Sequence, residues 1–200
     1  MIEVLLASYR CIIALDCKEV IRVKLRREVP VIAADGAARW IKADYIVGDG
    51  DSYAAEKQLL MPDQDTTDFE KCIDFAQKKE LLPALVVGIS GGEIDHVLGN
   101  VQVLLKHAVG QSLFFLDPHP RGLKIGVPID TGGFQTVVKA GATVSILPFG
   151  TCVLTTEGLV WELTDQVIKP DGLLAIRNRA HKQKVVFHVA AGKALVIIAM

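Results

Sequence analysis

Aspartates are the residues in this chain whose types and spacing most invite chemistry. Asp35 follows an apolar run at 29–34, Asp49 and Asp51 sit in Gly48-Asp49-Gly50-Asp51, and Asp63, Asp65 and Asp68 lead into a helical segment. All three groups fall where strands end or a helix begins, the edge at which open α/β sheets bind ligands. Carboxylates gathered there repel one another unless a cation neutralises them. Mg²⁺ suits that task, because it takes a few carboxylate oxygens and completes its shell with water and phosphates. Each acid also has a plainer reading. Asp49 and Asp51 are good turn residues, Asp68 complements a helix dipole, and Lys71 reads equally as a phosphate contact or a solvated lysine. Ser90-Gly91-Gly92 lies between a strand and a helix, where backbone N–H groups can approach a phosphate or simply form a tight turn. Asp95 follows, and His96 and Asn100, four apart, share a helix face; His96 reads as a structural histidine at least as readily.

The elements that must position these residues come from periodicity. Apolar runs at 2–7, 29–34, 45–47, 85–89 and 113–116 read as strands, and 37–43 and 52–60 as short helices. Phe69, Cys72, Ile73 and Ala76 recur at helical spacing behind the capping-box pair Thr67 and Glu70. Ile94, Val97, Leu98, Val101, Leu104 and Leu105 trace another helix. Wholly apolar strands alternating with helices predict an α/β N-terminal domain with a mostly parallel sheet, over 1–118. Beyond Asp117-Pro118-His119-Pro120, Pro and Gly recur and helical periods vanish. Strand runs at 124–127, 136–138, 143–147, 153–155, 160–163, 173–176, 185–189 and 194–198 predict a smaller all-β sandwich over 119–200.

Composition narrows the partners. A formal net charge of −1 offers no basic surface for nucleic acid, and the apolar run at 194–200 is too short to span a bilayer. The four cysteines, at 11, 17, 72 and 152, form no CxxC pair and read as buried thiols of a cytoplasmic protein.

In order, Ala34-Asp35-Gly36-Ala37-Ala38, Gly48-Asp49-Gly50-Asp51-Ser52, the stretch from Asp63 to Lys71, Gly91-Gly92-Glu93-Ile94-Asp95-His96 through Asn100, Thr155-Thr156-Glu157-Gly158-Leu159-Val160-Trp161, and Asn178 resemble the thiamine pyrophosphokinase family. The resemblance runs from Val31 to Asn178. It implies an ATP-binding catalytic domain at 1–118 and a thiamine-binding, dimerising domain at 119–200. The implied protein is a homodimer with thiamine held between one subunit's α/β domain and the other's sandwich. The implied reaction moves the pyrophosphoryl group of ATP to the thiamine hydroxyl and releases AMP. By the same resemblance Asp49, Asp51 and Asp68 are the magnesium ligands and, with Asp95, the catalytic acids. Asp35, Gly36, Lys71, Gly91, Gly92, His96 and Asn100 lie by the nucleotide, while Gln64, Asp68, Trp161 and Asn178 meet thiamine. Trp161 reads equally as a core aromatic from sequence alone.

The chain departs from the family pattern at Ala37, Arg39, Thr66, Glu93 and Arg177; Thr66 and Glu93 stand where the pattern has Lys and Arg. Other readings are a thiamine- or nucleotide-binding module without turnover, a pterin pyrophosphokinase, and a glycosyltransferase holding a nucleotide-sugar metal on Asp49 and Asp51.

Overall fold

The computed structural model describes residues 2–18, 23, 28–50, 58–61, 63, 65–120 and 122–200. Asp51, Gln64 and most of the helix expected at 52–60 lie outside the described residues. The chain forms two compact units, one of Ser8–His107 and Ser112–Pro118, the other of Met1–Ala7, Ala108–Gln111 and His119–Met200.

The chain opens on helix α1 (Ile2–Ser8), where a strand is expected. Ile2 and Leu5, three apart, are buried while Val4 is exposed, a helical and not an alternating pattern. The α/β unit then runs β1 (Cys11–Ala14), β2 (Val31–Ala34), β3 (Tyr45–Gly48), β4 (Gln58–Leu60), α2 (Asp68–Lys78), β5 (Ala84–Val87), α3 (Ile94–His107) and β6 (Leu113–His119). The sequence reading passes over β1 and places helix where β4 lies. The segment expected as a helix at 37–43 is a 3-10 turn at Asp35–Arg39.

These six strands pair in parallel in the order β6-β5-β1-β2-β3-β4. Ile12, Ile13, Ile32, Leu85 and Phe114 are fully buried, as in a sheet covered on both faces. The chain winds outward from β1 to β4, then returns to place β5 on β1's other side. The reversal makes the carboxyl end of β1 the topological switch point, where such sheets open a binding crevice.

The β-rich unit is antiparallel: β7 (Gly122–Ile129), β8 (Phe134–Val137), β9 (Thr143–Glu157), β10 (Gln166–Ile168), β11 (Ala175–Arg179) and β12 (Lys184–Ala199). Strand β12 pairs with β7, β8 and β9, and β9 also pairs with β10 and β11. Strands β9 and β12 each join two short runs that the sequence separates. Register shifts around Ala191 carry β12 past Gly192 without ending it, as a bulge does. Residues 160–163 form a loop and not a strand: Glu162 accepts from the backbone N–H groups of Gly158 and Leu159 and from the Thr156 hydroxyl. Among the described residues, no helix is long and apolar enough to cross a membrane.

Candidate active site

Parallel pairing of β2 with β3 puts their carboxyl ends side by side, and the residues just beyond them are Asp35 and Asp49. Helix α2 brings the third acid. Thr67 caps it, its hydroxyl accepting from the Glu70 N–H at 3.2 Å while the Glu70 carboxylate accepts from the Thr67 N–H at 3.0 Å. That reciprocal cap fixes the first turn and so aims Asp68. One carboxylate oxygen each of Asp35, Asp49 and Asp68 lies within 4.8 Å of the others.

Close approach is possible because Gly48 has no side chain. A Cβ there would meet the Asp35 Cβ at 2.6 Å and the Asp68 Cγ at 3.2 Å. Three hard oxygen donors around such a cradle fit a small divalent cation. Asp35 is 1% exposed. Lys71, 4% exposed, supplies the neighbouring positive charge: its Nζ lies 3.1 Å from Asp68 Oδ1 and 3.9 Å from Asp49 Oδ2. Burial, the strongest influence, raises the Asp68 pKa; Lys71 opposes the rise and the charges of Asp49 and Asp35 add to it.

A cavity of about 370 Å³ opens beside this triad. Of the sequence-derived residues, Gly36, Asp68, Gly92, Asp95, His96 and Asn100 line it, and Gly91 makes the turn just before Gly92. Asp95 Oδ1 accepts from the His96 N–H at 2.8 Å at the start of α3. The cavity also takes in Leu15 and Asp16, beyond the carboxyl end of β1. Sequence reasoning missed Asp16 because β1 itself went unread; with β1 in place, its position at the switch point marks it.

Two residues expected from the sequence to meet thiamine belong to the β-rich unit. Trp161 is 62% exposed, which excludes the core-aromatic alternative. Asn178 is buried and grips the Trp161 backbone: its Oδ1 accepts from the Trp161 N–H at 3.2 Å and its Nδ2 donates to the Trp161 carbonyl at 2.7 Å. Its amide therefore holds the loop that presents the indole.

The thiamin pyrophosphokinase catalytic-domain model matches residues 23–115 and the vitamin B1 binding-domain model of the same family matches residues 134–194. Thiamine pyrophosphokinase 3 of Oryza sativa subsp. japonica is 26% identical over 190 residues, covering 81% of this chain and 67% of its own. Thiamine pyrophosphokinase 1 of Arabidopsis thaliana is 29% identical over 131 residues, covering 62% of this chain and 49% of its own. The chain thus spans about half to two thirds of these relatives' lengths. The crystal structure of thiamin pyrophosphokinase from Geobacillus thermodenitrificans superposes with a TM-score of 0.76 at 20% identity, covering 95% of this chain and 97% of its own, a likeness of fold. With both models matched in order along most of its length, the chain belongs to the thiamin pyrophosphokinase family.

Proposed function

We propose that this chain is a magnesium-dependent thiamine pyrophosphokinase, transferring the pyrophosphoryl group of ATP to the thiamine hydroxyl and releasing AMP. The observation that carries the reading is the convergence of Asp35, Asp49 and Asp68 at one edge of a parallel sheet, in a chain that matches both halves of the family. Asp35, Asp49 and Asp68 would hold Mg²⁺, with Asp51 a fourth candidate from the sequence. When bound, the ion supplies charge neutralisation for a polyphosphate. Residues 1–118 serve as the nucleotide and catalytic domain and residues 119–200 as the thiamine-binding and dimerising domain, in a cytoplasmic homodimer. The four cysteines are buried, in keeping with that compartment.

The side chains divide the work. Backbone N–H groups at Gly91 and Gly92, with the N-terminus of α3, face the polyphosphate. His96 and Asn100 bound the nucleotide pocket, and Lys71 offsets the charge of the acids. Asp68 or Asp95 would accept the proton of the thiamine hydroxyl. Trp161 offers its face to the cationic heterocycle, where a cation–π contact is favourable. Asn178 holds the Trp161 loop in place, and Gln64 meets thiamine by resemblance.

The test is AMP release, measured with and without thiamine and with and without Mg²⁺. Asp49→Asn is expected to cut turnover by at least about 100-fold while leaving far-UV circular dichroism unchanged. Tight calorimetric binding of thiamine and nucleotide with no AMP formed would reassign the chain as a binding module.

A further inference from the structure

Asp16 occupies the switch point of the sheet, and both its carboxylate oxygens are taken. Oδ2 accepts from Arg39 Nη2 at 2.6 Å and Oδ1 from the Trp40 indole N–H at 2.6 Å. Arg39 is held a second time, its Nε donating to the Gly36 carbonyl at 3.1 Å. The guanidinium thus spans from the end of β1 to the 3-10 turn after β2, with Gly36 beneath it. A Cβ at position 36 would run into Arg39 Nη2 and the Asp16 carboxylate, the latter's Cγ lying 2.8 Å away. Glycine leaves room for the ion pair to close over this turn.

The arrangement answers an electrostatic problem. The cavity is lined by Asp16, Asp68 and Asp95, with Asp35 and Asp49 alongside Asp68, so a polyanion entering it meets like charge. Among the described residues, two cations are ion-paired to cavity-lining acids. Lys71 is buried against Asp68 and Asp49 and is spent on them. Arg39 is different: its side chain is 43% exposed, and its Nη1 has no partner among the described residues. Thr66 and Glu93 bring no positive charge to this end of the sheet.

We infer that Asp16 is a positioning residue that sets Arg39 at the cavity rim as the fork which receives the polyphosphate. Arginine suits the part, because its planar donors can engage a carboxylate on one edge and a phosphate on another. Asp16 is neutralised in the same contact and no longer repels the ligand. This inference rests on the nucleotide-binding reading above.

The test uses the full chain with two probes, inorganic tripolyphosphate with Mg²⁺ and adenosine, and reads affinity by calorimetry. Arg39→Met is expected to weaken tripolyphosphate binding about tenfold or more and to leave adenosine binding unchanged. Asp16→Asn should give a smaller loss. In the double variant the loss should match that of Arg39→Met alone, since Asp16 acts through Arg39. Additive losses would refute the positioning role. Should Arg39→Met lower the urea midpoint of the free protein, Arg39→Lys takes its place, with about a threefold loss expected because one ammonium cannot serve both partners. Equal tripolyphosphate affinity in wild type and the Arg39 variant overturns the clamp while leaving the nucleotide reading intact. A wild-type chain that binds neither probe overturns both.

Discussion

Lys71 sits below the surface between two acids, and its burial makes a sharp demand. Removing one partner of a buried ion pair leaves the other charge uncompensated, typically at a cost of 3–5 kcal/mol. Lys71→Met should therefore lower the cation-free stability by about 3 kcal/mol in urea unfolding. Millimolar Mg²⁺ should restore much of that loss, because the ion takes over the same carboxylates; a variant as stable as wild type without Mg²⁺ would contradict the charge-balancing role. The raised pKa of Asp68 adds a pH dependence of definite sign. Its contribution is fully present below the ordinary carboxylate range and is lost as pH rises through the folded value. Cation-free protein should thus lose stability through this group as pH rises from the ordinary carboxylate range through the folded value, and bound Mg²⁺, which favours the charged carboxylate, should oppose that loss.

At the scale of elements, α2 carries the clearest agreement between pattern and structure. Its capping box, its apolar stripe and its start are all legible, since they depend on neighbours a few residues away. Thr67→Ala is expected to cost about 1 kcal/mol of stability, read from the urea midpoint. Glu70 serves twice, because its other oxygen accepts from Lys106 Nζ at 2.7 Å and meets His107 Nε2 at 3.2 Å. A hydrogen bond from Lys106, chiefly, pulls its pKa down to about 2, aided by the Thr67 backbone and His107 against the opposing effect of burial. A depressed carboxylate stabilises the fold above its unfolded value, near 4.5, and loses that contribution as pH falls towards 2. Acid unfolding of Glu70→Gln should accordingly be shallower than that of wild type across this window.

Elements whose identity rests on distant contacts were harder to read. The run at 2–7 reads as a strand until Ile2 and Leu5 are seen buried on one side. Strand β1 is only four residues, and Asp16 shows no signal until the order of strands places it at the switch point. Long β9 and β12 hide behind prolines and glycines that usually mark turns. Asp49 and Asp68 were legible as metal candidates from motif order, and Asp35 as an acid near the nucleotide. Its membership of the triad depends on the register of β2 against β3, which no local pattern encodes.

For the molecule as a whole, the β-rich unit displays more apolar surface than a solvated face needs. Val160, Trp161, Leu173, Leu174 and Ile176 are all large, apolar and exposed. These side chains are the candidates for the interface of the proposed homodimer. Sedimentation should give twice the 21.7 kDa chain mass. Leu174→Asp should shift the chain toward monomer and, with it, weaken thiamine binding; a dimer untouched by that charge would move the interface elsewhere.

The acidic triad has a consequence beyond its chemistry. Its three members come from separate stretches of sequence, and they become neighbours only once β2, β3 and α2 have assembled. An ion that they bind is therefore bound by the folded chain and hardly at all by the unfolded one. Saturation a hundredfold above the dissociation constant would add about 2.7 kcal/mol to the folded state. Ion starvation would then be felt in two ways, as silenced turnover and as a larger pool of opened chains exposed to proteases.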